Sequence, residues 1–125
     1  MKYLVDTDIL IDISKGNQKA VEFLETLEGD VSISIVTAME VIAGARNEKE
    51  ISKIEEFLNT YKKISINKTI ADSAYDFLKK HSRKGLTIAD SLIAATAKIN
   101  KLAIATRNVR HFLLVDGLEV KKAEY

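Results

Sequence analysis

Apolar positions along the chain change their spacing from segment to segment, and each change marks an element. Tyr3, Leu4 and Val5 make a short apolar run that reads as a strand within KYLVD at 2–6. Ile9 to Lys15 reads as a short helix closed by Gly16, because glycine tolerates the left-handed conformation that ends helices. Ala20, Val21, Phe23, Leu24 and Leu27 recur at helical spacing up to Gly29. DVSISIV at 30–36 alternates apolar and polar residues, the period-two pattern of a strand, and TAMEVIAGA at 37–45 is helical. Ile51, Ile54, Phe57, Leu58 and Tyr61 form the stripe of an amphipathic helix, and Ile64 with Ile66 suggests a short strand. Ile70, Ala74, Phe77 and Leu78 mark a helix ending near Lys84 and Gly85. Asp90 to Asn100 reads as a more buried helix, LAIAT at 102–106 as a strand, 109–113 as a short helix and LEV at 118–120 as a last strand.

Strands separated by helices indicate a parallel sheet covered on both faces, a three-layer α/β domain. In such sheets, ligands bind beyond the carboxyl ends of the strands where the strand order reverses. That rule gives the polar residues a place. Asp6 ends the first strand, Glu40 lies one turn into the helix after the second, and Asn108 follows the strand ending at Thr106. Asp90 starts the helix leading into that strand, so the rule places it less directly.

Composition narrows the chemistry. At 125 residues the length predicts a single domain, 1–125, long enough to bury a normal core. The formal net charge is only +1, so attraction to phosphate must come from a local patch. There is no cysteine, which excludes disulfides, thiolate metal sites and cysteine nucleophiles and agrees with a cytoplasmic location. The apolar run after Lys2 breaks at Asp6, so no signal peptide is expected, and no stretch reaches the roughly twenty residues of a membrane span.

Taken singly, the motifs are ambiguous. Asp6-Thr7-Asp8 after a strand resembles the nucleophile motif of haloacid-dehalogenase-like phosphatases, with Asp6 as nucleophile and Asp8 as general acid. It reads equally as a turn leading into a helix. Such a phosphatase also needs a late acidic pair for its metal, which LAIATRNVRHF does not supply. Thr37 and Glu40 have the spacing of a capping box, as do Thr87 and Asp90. TIADS occurs at both 69–73 and 87–91, so Asp72 and Asp90 share one local window. His81 and His111 lack ligand-like spacing and read as ordinary surface or interface residues. Lys79, Lys80, His81, Arg83 and Lys84 suit the solvated C-terminal end of a helix better than an RNA contact. Arg107 and Arg110 flank the suspected site and are better candidates for phosphate. Together, Asp6, Glu40 and Asp90 with Asn108 come from separate elements and can meet at one end of the sheet. Gathered carboxylates repel, and an oxygen-rich group of this kind suits Mg²⁺, with Mn²⁺ as a substitute.

The blocks DTDILID, SIVTAMEVIAGA, GLTIADSLIAATA and LAIATRNVRHF, in this order over nearly the whole chain, resemble the PIN-domain proteins, and among them the VapC-type toxins of type II toxin–antitoxin pairs. The resemblance implies an α/β/α sandwich around a central parallel sheet of four to five strands. It implies an Mg²⁺-dependent endoribonuclease that cleaves RNA with metal-activated water, a homodimer, and a cognate antitoxin. Carried over by position, Asp6, Glu40 and Asp90 match the family's three acidic metal-site residues. Asn108 matches a fourth position that is Asp in some members and Asn in many, and Thr106 matches the hydroxyl residue before it. The resemblance also separates the two TIADS copies: Asp90 fits the third acid and Asp72 does not. A catalytically inactive PIN-like binding module is the remaining alternative, and retention of all three acids argues against it.

Overall fold

A computed structural model describes residues 2–27 and 29–125. Five strands, β1 (Tyr3–Val5), β2 (Val31–Ser34), β3 (Lys62–Ile64), β4 (Ala103–Thr106) and β5 (Val120–Lys122), form one sheet in the order β3-β2-β1-β4-β5. Every pairing is parallel, with Tyr3 opposite Val31 on one side and Ala103 on the other. Among the described residues, seven α-helices connect them: α1 (Thr7–Ser14), α2 (Gln18–Thr26), α3 (Ile35–Ala43), α4 (Glu48–Leu58), α5 (Lys68–His81), α6 (Ile88–Ile99) and α7 (Val109–Phe112). None of the described helices is long and apolar enough to cross a membrane.

Successive strand residues face opposite sides of a sheet, and the core divides accordingly. Val5 and Ala105 pack with Ile9, Leu10, Phe23, Ile33, Val41 and Leu58 on one face. Leu4 and Ile104 pack with Ile93, Ala94, Ala97, Phe112 and Val115 on the other. Ala95 of α6 turns away from the sheet to meet Ile70 and Ala74 of α5. The small side chains of Ala94, Ala95 and Ala97 let α6 be buried between the sheet and α5. The three-layer architecture with its parallel sheet is therefore as expected.

Several boundaries differ, each for a local reason. Helix α1 starts at Thr7, two residues before the expected Ile9, because Asp6 ends the strand and caps the helix with its own side chain. Helix α3 starts at Ile35, inside the alternating stretch expected to stay extended to 36. Its cap is Ser34, whose hydroxyl accepts from the Val36 amide at 3.1 Å. Thr37 thus lies within the helix, and the Thr37–Glu40 capping box does not form. Strand β3 ends at Ile64, leaving Ile66 to pack against the Ile70–Ala74–Ala95 cluster. Strand β5 begins at Val120 because Gly117, at φ +77°, still turns the chain there and Leu118 is drawn into the core beneath.

Candidate active site

The chain runs from β1 outward through β2 and β3, then returns to the other side of β1 for β4 and β5. The strand order thus reverses between β1 and β4, and a crevice is expected at their carboxyl ends. Asp6 leaves β1 there and Thr106 ends β4 beside it. Asp6 is only 4% exposed, and both carboxylate oxygens are engaged. Oδ1 accepts from the Thr7 amide at 2.8 Å, and Oδ2 accepts from the Thr106 hydroxyl at 2.7 Å. Burial pushes the Asp6 carboxyl up to about 6 and outweighs these two bonds, which favour the charged form; the charges of Asp8 and Asp90 push the same way.

From Asp6 a hydrogen-bonded path leads through Thr106 and Asn108 to His111, which stands beside Asp90. The Thr106 hydroxyl accepts from the Asn108 backbone amide at 2.8 Å. The Asn108 side-chain nitrogen lies 2.8 Å from Nδ1 of His111, and that same Nδ1 lies 3.5 Å from Oδ2 of Asp90. Asp90 stands in the first turn of α6, where its amide donates to the capping hydroxyl of Thr87 at 3.1 Å.

A second path ties in Glu40. Its Oε1 accepts from the Thr7 hydroxyl at 2.6 Å, and the Thr7 and Thr37 hydroxyls lie 3.0 Å apart. A hydroxyl has one proton to give. Thr7 gives its proton to the carboxylate, so the buried Thr37 hydroxyl supplies the one between the two threonines. Glu40 is therefore connected across α1 and α3 rather than to the start of its own helix.

Asp6, Glu40, Asp90, Thr106 and Asn108 are thus brought together as one connected set. Asp72 is not among them: it sits exposed on α5 in an ion pair with Lys68 at 2.7 Å. Asp8 is exposed and lines, with Ile11, Asp12, Arg107 and Asn108, a cleft of about 420 Å³. Arg107 reaches the rim of this cleft with Nη1 on Asp12 at 3.1 Å and its guanidinium 4.8 Å above the Tyr125 ring. Arg110 is exposed on α7 and forms no ion pair among the described residues.

Two residues that bond to this set escaped sequence reasoning. Thr7 is hidden between two more conspicuous acids. His111, read as an ordinary surface or interface residue, accepts from Asn108 and stands 3.5 Å from Asp90; its signal was the Asn-x-x-His spacing, which puts both side chains on one face of a helical turn.

Among the described residues, no three acidic or histidine side chains gather around a single point. Mg²⁺ does not require such a cage, since it keeps several waters and takes one or two carboxylates together with substrate phosphates. The polar side chains linked around Asp6 offer oxygen from Asp6, Glu40, Asp90 and Asn108, and the charge of Asp90 bears on Asp6. That donor set fits a hard divalent cation.

The PIN domain profile matches residues 3–118. The chain is 34% identical over 122 residues to ribonuclease VapC10 of Mycobacterium tuberculosis, covering 93% of this chain and 90% of that protein. It is 34% identical over 113 residues to ribonuclease VapC1 of Methanocaldococcus jannaschii, covering 89% and 79%. A chain of a toxin–antitoxin complex from Klebsiella pneumoniae has a TM-score of 0.83 and 31% identity, with 98% of each chain covered. With the strand reversal at β1 and β4 and the acids it assembles, these likenesses establish that the chain belongs to the PIN-domain family.

Proposed function

We propose that this protein is a metal-dependent endoribonuclease and the toxin of a toxin–antitoxin pair. The observation that carries the reading is the connected set Asp6, Glu40 and Asp90 at the strand reversal of a fold whose relatives are named ribonucleases. Asp6 and Asp90 would hold the cation, and Glu40 would bind it directly or through water. Bound there, Mg²⁺ or Mn²⁺ would supply positive charge to activate a water and to offset charge on a phosphate. Thr106 holds the Asp6 carboxylate in one orientation, and Thr7 does the same for Glu40. Asn108, with its side-chain nitrogen on His111, keeps its carbonyl oxygen for water or substrate. Arg110 contacts phosphate directly; Arg107 does so with the guanidinium donors that Asp12 leaves free.

The phosphatase alternative loses support at the end of β4. Such an enzyme needs a late acidic pair for its metal, and the chain leaving β4 carries Thr106, Arg107 and Asn108 there instead. The toxin assignment follows the Klebsiella pneumoniae complex, and with it we infer a cognate antitoxin, a homodimer and a cytoplasmic site of action.

The test is cleavage of RNA by purified protein with Mg²⁺ or Mn²⁺ and with excess chelator. Chelation is expected to stop cleavage, Asp90→Asn to abolish it, and Asp72→Asn to leave it nearly intact. Full activity in chelator, or equal losses at Asp72 and Asp90, contradicts the reading. For the toxin role, expression of the chain alone is expected to slow growth and co-expression of its genomic neighbour to relieve it. Harmless expression indistinguishable from that of Asp6→Asn contradicts it.

A further inference from the structure

We propose that the 3₁₀ turn Ser82–Lys84 and the exposed side of α7 form a track for the backbone of single-stranded RNA, with Arg83, Lys84 and Arg110 contacting successive phosphates. The proposal rests on the nuclease reading and says where the strand lies once it leaves the acidic site.

The sequence alone favours an ordinary reading of these cations, as the solvated end of a helix. The structure changes their position relative to the site. Helix α5 ends at His81, and its last-turn lysines already complement the helix dipole; one of them, Lys79, is paired with Asp76 at 3.4 Å. Arg83 and Lys84 lie past that end, in a separate turn closed by Gly85. Gly85 adopts φ +98° and is laid against His111, so closely that a Cβ there would stand 3.3 Å from the ring Nε2. His111 in turn touches Asn108 and Asp90. Lys84 is one Cα step, about 3.8 Å, from this contact, and Arg83 is two. Arg110 precedes His111 on α7. The turn and α7 are thus pressed together at the rim of the acid group.

Charge gives the arrangement a use. A set of carboxylates repels the phosphates on either side of the one being cut, and a chain with a net charge of +1 has no general field to offset this. Arg83, Lys84 and Arg110 are exposed and form no ion pair among the described residues, so their charge is available at that rim. Arg107, by contrast, is partly neutralised by Asp12. A single strand follows such a groove of cations without any need for sequence-specific contacts.

The experiment measures binding apart from cleavage. Labelled single-stranded RNA is titrated, in chelator and over a range of salt concentrations, with the Asp6→Asn protein alone or also carrying Arg83→Gln, Lys84→Gln or Arg110→Gln. Lys2→Gln, at the opposite end of the sheet, is the control of equal charge change. Each rim substitution is expected to make the slope of log affinity against log salt shallower by about 0.7, the value for one lost single-strand phosphate contact, while Lys2→Gln leaves it unchanged. Unchanged slopes at the rim, or an equal change at Lys2, overturn the proposal. Altered slopes in a protein whose unmodified form does not cut RNA refute the nuclease reading and retain the surface.

Discussion

Asp6 is asked to be buried and charged at once, and the residues around it reflect that conflict. Its folded carboxyl titrates near 6 against an ordinary value of 3.8, so the folded chain binds more protons across that interval. The contribution of this group to stability is therefore fully present below 3.8 and is lost as pH rises through about 6. For the chelated protein this amounts to a loss on the order of 3 kcal/mol. Urea unfolding across that range is expected to show it, and Asp6→Asn to flatten the profile; parallel profiles contradict the account. Glu40→Gln separates charge from hydrogen bonding, because glutamine still accepts from Thr7. Melting without metal is expected to be unchanged or higher, with RNA cleavage nearly gone. Cleavage near the parent rate would leave Asp6 and Asp90 as the core of the site. His111 acts through Asn108. His111→Phe is expected to lower kcat about tenfold with little change in KM, and to add nothing in an Asn108→Ala background. Losses that multiply in the double variant show that the two act independently.

Element boundaries place these side chains. Ser34 rather than Thr37 starts α3, which turns Thr37 inward to Thr7 and leaves Glu40 one turn along at the crevice. Ser34→Ala is expected to cost about 0.5–2 kcal/mol in urea unfolding as a lost cap. No effect on stability would remove Ser34 from that role. Gly16, just past the end of α1, and Gly85, which closes the turn after α5, make a paired comparison. Gly16 and Gly85 both have positive φ, but a Cβ at Gly16 meets nothing within 4 Å, whereas one at Gly85 meets His111. Alanine at either position is expected to destabilise by about 1 kcal/mol. Only Gly85→Ala is expected to reduce cleavage per folded molecule, by displacing the imidazole. Equal cleavage in both variants contradicts a working contact at Gly85.

At the scale of the whole molecule, the three acids lie on three separate connections of one sheet, so ligand binding there is linked to global folding. A cation that binds only the folded chain raises its stability by an amount set by concentration over Kd, about 2.7 kcal/mol at a hundredfold excess. Adding Mg²⁺ is therefore expected to raise Tm in the parent and in Asp72→Asn, and to do so much less in Asp90→Asn. An equal rise in all three places the cation elsewhere.

The sequence by itself determined the layers and the parallel sheet, and it nominated Asp6, Glu40 and Asp90 as candidates. Periodicity reports which face of an element is buried, and the order of strands and helices admits few ways to cover a sheet. It also placed Asp6 and Thr106 at strand ends, because a short apolar run followed by a polar residue has little alternative. Only the tertiary structure decided what Thr37, Thr7 and His111 do. A capping box and a threonine turned toward a neighbouring helix have the same local sequence, and they differ only in where the helix begins. The repeated TIADS segments make the same point: Asp72 and Asp90 have identical neighbours in the chain. One meets Lys68 at the surface and the other His111 at the crevice, because α5 lies outside α6 and only α6 starts beside the reversal of β1 and β4.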